Sequence, residues 1–174
     1  MFTKETIEQY FLSFKHEHLF LLMLAAVSII VAVLFYFTLK KHFFKGFAIP
    51  LFSAAMLLFT IAFSNFRNAD RLRKICVYDY DLHPEYLKTR ELVRVDSFLL
   101  NANIIFYTCL FFAVAAIAMF LYFRKKLNAQ YIKGAATSLF LMAIITAITF
   151  FIMNKEAKIY KEEIEAFTKE IIIK

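Results

Sequence analysis

Four stretches of this chain run for at least 21 residues without a charged side chain: 19–39, 46–66, 97–123 and 134–154. At about 1.5 Å per residue, 21 helical residues reach about 31 Å, which matches the hydrocarbon layer of a bilayer. Backbone in lipid must satisfy its own hydrogen bonds, which leaves helices or closed barrels. These runs lack a barrel's alternation. The expected fold is an all-α integral membrane protein, a single membrane domain over 1–174 with four transmembrane helices in a bundle. The first run is too long for the core of a signal peptide. It also has no small-residue exit before Lys40 and Lys41, so it is expected to stay as a helix.

The placement of charge agrees with this reading. A soluble chain of 174 residues would interleave its 61% hydrophobic residues with charge, whereas here the charges fall into five islands between and around the runs. A net charge of +7 would suit nucleic acid, but the cations cluster at the ends of apolar runs and form no readout stripe. The expected surroundings are a lipid bilayer, with no nucleic-acid partner.

The two short basic turns resemble one another. Phe35-Tyr36-Phe37 precedes Lys40-Lys41 and then Lys45-Gly46; Leu121-Tyr122-Phe123 precedes Arg124-Lys125-Lys126 and then Lys133-Gly134. The match predicts two parallel-repeated hairpins related by a pseudo-twofold axis along the membrane normal. Pro50, the fifth residue of the second run, is expected in a first helical turn, where it removes only a donor that is unpaired anyway.

Beyond the runs, three amphipathic segments, 2–16, 67–96 and 155–171, predict a small helical head on one side, about 20 Å tall. Phe2, Ile7, Phe11 and Phe14 share one face of the first. Ala69, Leu72 and Cys76 continue the second span outward until a break near Asp79–Asp81. Pro84 opens the next element, and Leu92, Val95 and Phe98 mark its inner side. In the tail, Ala157, Tyr160, Ile164, Phe167 and Ile171 form a heptad-like seam. Glu91 and Arg94 read as a surface (i, i+3) pair worth a few tenths of a kcal/mol.

Chemistry-bearing patterns are scarce. The runs hold no ionisable side chain of the kind pumps place at membrane depth. On a helix His16 and His18 point about 200° apart and cannot share a metal ion. Cys76 sits in the head and Cys109 within a span, too far apart to pair. With no nucleophile constellation and no phosphate-cradling glycine loop, the reading is a non-catalytic protein without cofactor or metal. Ala25, Ser28 and Ala32, and likewise Ala136, Ala143 and Ala147, have helix-packing spacing. Packing within one chain is favoured over an oligomer. The charged head residues Arg67, Arg71, Arg73, Lys74, Asp79, Asp81 and Glu85 are the expected partner-binding surface, steering and selecting a protein partner. The competing readings are an accessory subunit of a transporter, channel or secretion assembly, and a binder of lipid or another apolar ligand.

Seven cations and no acid occupy turns 40–45 and 124–133, while the head side balances 14 cations against 14 acids. Dense cations in short loops favour cytoplasmic turns, with the head and both termini outside.

In layout the chain resembles small four-span bacterial inner-membrane proteins of the toxin-immunity type. The residues that carry the resemblance are Glu8, Tyr10, Phe14 and His18, then Lys41, Gly46, Ala48 and Pro50, then Glu91, Arg94 and Phe98. It implies a four-span bundle with an external helical head that neutralises a toxin by binding it or blocking its insertion. It assigns no role to any single residue.

Overall fold

A computed structural model describes residues 2–126 and 129–173, with side chains through Lys169. Among the described residues there are four long helices and no strand: α1 (Lys4–Thr38), α2 (His42–Leu82), α3 (Leu92–Phe123) and α4 (Gln130–Ile173). All four are long and apolar enough to cross a membrane. Thr3 starts α1 by a reciprocal cap: its hydroxyl accepts from the Thr6 N–H at 3.3 Å, and its own N–H donates to the Thr6 hydroxyl. One wide π-helical turn, Leu87–Glu91, leads directly into α3.

The helices pair as antiparallel hairpins, α1 with α2 and α3 with α4, and the hairpins join through α2 and α4. These two central helices run parallel, since α2 meets α4 both at their starts, Gly46 against Tyr131, and in the head, Cys76 against Tyr160. The contact at the starts is reciprocal. A Cβ on Gly46 would lie 2.9 Å from Tyr131 Cα, and one on Gly134 would lie 2.9 Å from the Phe47 nitrogen and as close to the Phe43 carbonyl carbon. The same 88-residue separation relates Gly46 to Gly134 and Phe43 to Tyr131, so each glycine opens onto the residue three before the other. A pseudo-twofold axis between α2 and α4 would demand such a reciprocal contact. Only glycine lets the two backbones come this close.

Small side chains continue the seam. Ala48, Ala55 and Ala62 of α2 and Ala136, Ala143 and Ala147 of α4 are buried, as are Ala25, Ser28 and Ala32 of α1. The expected packing within one chain therefore accounts for both small-residue sets. Phe20, Met23, Val27 and Ile30 of α1, and Tyr107, Phe111 and Val114 of α3, face outward.

A second core fills the head. Phe2, just before α1, and Ile7, Phe11 and Phe14 of α1 pack with Ala69 and Cys76 of α2, Val95 of α3, and Ala157, Tyr160 and Ile164 of α4. Tyr10 stacks nearly parallel on Tyr160 with ring centroids 3.8 Å apart. The head expected from 2–16, 67–96 and 155–171 is thus a packed four-helix extension of the bundle. Ile171 of the expected tail seam, and Leu127 and Asn128 of the second turn, lie outside the described side chains or residues.

Three local expectations change. Pro50 is inside α2 rather than in its first turn, because the helix starts at His42, before the apolar run begins. It therefore returns no N–H to the Gly46 carbonyl. The break expected near Asp79–Asp81 falls at His83, whose N–H donates to the Asp79 carbonyl at 2.9 Å and closes α2. In the Glu91–Arg94 pair, Glu91 is buried and Arg94 half-buried, so it is more than a solvated surface pair.

Candidate functional site

The expected partner-binding residues separate into two groups. Arg67, Arg71 and Lys74 are exposed, and helical spacing sets them on one face of α2 with the exposed Ile75, Tyr78 and Leu82. This strip is cationic near the apolar segment and apolar toward the tip of the head. Arg73 is half-buried and lies nearly opposite the strip, beside the face that buries Ala69 and Cys76. Asp79 is 4% exposed and turned inward on the face that also buries Ala69 and Cys76, so it does not join the outer surface. Asp81 is exposed but ion-paired with Lys4 at 2.7 Å. Glu85 lies past the break, 3.4 Å from His83 Nδ1.

Inside the head the guanidinium of Arg94 grips Glu91 with two hydrogen bonds, Nε to Oε2 at 2.8 Å and Nη2 to Oε1 at 2.6 Å. Glu91 is 7% exposed, and Arg94 also lies 5.1 Å from the Phe11 ring centroid. Burial works against the arginine's charge, but its hydrogen bonds to Glu91 and that carboxylate's field outweigh it and hold the guanidinium above its usual range. Burial pushes the Tyr10 hydroxyl and the Cys76 thiol each up to about 12. The Cys76 sulfur sits 3.3 Å from the Tyr160 hydroxyl. A thiol held protonated in this way is a packing group and not a ready nucleophile.

A third polar layer lies where the head meets the apolar segments. His18 is fully buried. Its Nδ1 is 2.8 Å from the Phe14 carbonyl, which can only accept, so Nδ1 carries the proton. Nε2 then accepts from Asn65 Nδ2 at 2.9 Å, in keeping with burial lowering the pKa of the ring. On the other hairpin Asn154 donates to Asn103 at 2.6 Å. Between α1 and α4, Ser13 donates to Glu156 at 2.5 Å, while the buried Oε1 of Glu17 has no hydrogen-bond partner among the described residues. Burial, then the nearby Glu156 charge, push the Glu17 carboxyl from its ordinary 4.5 up to about 8.

Glu17 gives a stability prediction. The folded state binds this proton more tightly than the unfolded chain, so stability is expected to fall as pH rises from about 4.5 to about 8. Glu17→Gln should remove that slope and raise stability at pH 8 by about 1–2 kcal/mol, a figure discounted for the side chain's partial exposure. Melting curves of both proteins at pH 5 and pH 8 check it: the curves should diverge only at the higher pH.

The sequence pointed to Arg67, Arg71 and Lys74 of the α2 strip, but not to its apolar members Ile75, Tyr78 and Leu82, and it missed Glu17. The available signal was its place as the last acid before the first apolar run. Comparison of the chain with protein-family models, with curated proteins and with solved structures finds no match.

Proposed function

We propose that the chain is a non-catalytic, multi-pass membrane protein that docks a protein partner on the outer face of its helical head. Exposed Phe37, Leu57 and Phe111, among many apolar side chains on the outer faces of the four segments, support the membrane reading, since lipid would cover them. The cations of turns 40–45 and 124–133 support cytoplasmic turns and an external head. The observation that carries the docking reading is the strip of Arg67, Arg71, Lys74, Ile75, Tyr78 and Leu82. It pairs an apolar patch with cations, and its side chains are exposed among the described residues. Such a face suits a partner with an apolar centre and an acidic rim, the rim speeding encounter and the centre supplying affinity. An immunity protein of a bacterial inner membrane, holding a toxin at the head, is the sharpest form of this reading. The residues of the layout resemblance support the scaffold and not the contact, because Tyr10, Phe14, His18 and Glu91 are buried.

A photo-crosslinking amino acid at position 78 tests it in native membranes. A discrete protein adduct is expected there, absent when the label is moved to Lys158. Arg71→Glu with Lys74→Glu should reduce the adduct about tenfold or more, the loss of roughly 1.4 kcal/mol of binding. Adducts to lipid alone, or equal adducts from both positions, reject the reading.

A further inference from the structure

Helices α1 and α4 touch in the head, through Tyr10 on Tyr160 and Ser13 on Glu156, and part as they enter the apolar segments. A groove of about 480 Å³ opens between them there, within the roughly 300–1,000 Å³ of ordinary ligand sites. Phe20, Ile145, Ile148 and Ile152 line its length, and His16 and Glu17 stand at its mouth. Glu156 lies close enough to raise the proton affinity of Glu17. Among the described residues neither carboxylate has a cationic partner. The nearest cation along α1, Lys15, is held by Asp70 of α2 at 2.6 Å. The groove is therefore apolar along its length. Glu17 closes one end, with a buried carboxylate oxygen that lacks a donor among the described residues. Glu156 lies just beyond that end, hydrogen-bonded to Ser13 and outside the lining.

We propose that this groove holds a membrane lipid with a primary-amine headgroup, its ammonium between Glu17 and Glu156 and one acyl chain along Phe20, Ile145, Ile148 and Ile152. Charge complementarity selects a cation, and the orphaned oxygen selects one that carries N–H donors. A quaternary ammonium offers none and is better held by aromatic faces. A metal ion is disfavoured, because no three His, Cys, Asp or Glu side chains gather to hold one among the described residues. The apolar length beneath the carboxylates suits an acyl chain, and the His16 imidazole at the mouth can donate to the lipid phosphate. Binding the ammonium would favour the ionised Glu17, so uptake releases a proton and tightens as pH rises through about 8. A primary amine keeps its charge to about pH 10. The groups that face Glu17 in this exchange are Glu156 on α4 and His16 on its own helix.

The inference rests on the membrane reading and is independent of docking on α2. Retention of the chain in alkali-washed membranes tests the membrane reading separately. The full chain, purified in a neutral maltoside detergent, is offered phosphatidylethanolamine, phosphatidylcholine or phosphatidylglycerol, and adducts are weighed by native mass spectrometry. Phosphatidylethanolamine should bind at about tenfold lower concentration than the other two. Glu17→Gln with Glu156→Gln should erase the preference without lowering the melting temperature. Ile148→Trp, which fills the groove and keeps both carboxylates, should erase adducts of all three lipids. Equal adducts of the three lipids, a preference for phosphatidylglycerol, or an unchanged preference in the double glutamine variant overturns the proposal.

Discussion

Replacing Gly46 by alanine is expected to destabilise the bundle by about 3 kcal/mol or more, and Gly134→Ala to match it. Both glycines lie within helices, where alanine is normally favoured by about 1 kcal/mol. The sign is reversed here because of what the methyl group would meet. On Gly46 it would lie 2.9 Å from Tyr131 Cα and closer still to that residue's carbonyl. On Gly134 it would run into the Phe43 carbonyl. These are backbone atoms and cannot swing away as a side chain does. The central helices would have to separate, and with them the buried small side chains beyond, Ala48 and Ala136 first. The double variant should cost less than the sum of the singles, since one separation relieves both clashes. Melting in mild detergent, followed by circular dichroism, measures this. Single variants that melt like the parent would mean that α2 and α4 do not meet at this seam.

How much of this was legible in the chain depends on the range of the interaction. The apolar runs, their helical character and the inner faces of the head follow from local periodicity. Ile7, Phe11, Val95, Cys76 and Ile164 are buried where spacing put them. The repeat was visible as Lys45-Gly46 and Lys133-Gly134, because a turn is a local pattern. The close approach of the two glycines was not, since it depends on a neighbour 88 residues away. Arg71 and Asp79 show the limit on the candidate surface. Both are charged residues of one helix in one charged stretch, and only the packing partner decides which face is inward. Glu17 shows a further limit. Nothing in 13–18 announces that α4 brings Glu156 alongside and leaves a carboxylate oxygen without a donor among the described residues. Spacing treats Glu91 and Arg94 as an ordinary surface pair for the same reason.

That pair carries the second large effect. Arg94→Met is expected to cost about 3–5 kcal/mol, because it strands the Glu91 carboxylate in the head core without its two hydrogen bonds. Glu91→Leu should cost a comparable amount by stranding the guanidinium. An exposed pair at this spacing would lose only a few tenths of a kcal/mol, so the magnitude itself separates the two environments. The double variant Glu91→Leu with Arg94→Met leaves no buried charge and fills similar volume. It should recover to within about 1 kcal/mol of the parent, or exceed it. The damage should also be local. Glu91 and Arg94 sit among Tyr10, Phe11, Cys76 and Tyr160, above the seam held by Gly46 and Gly134, so the head should loosen while the apolar segments stay helical. Limited proteolysis of Arg94→Met should therefore cut within the head, near His83, and spare the four apolar segments. The loosened head should also lose the position-78 crosslink, although neither substitution touches the α2 strip. A double variant as unstable as the singles would show that the pair shapes the head core, and does not merely neutralise itself within it.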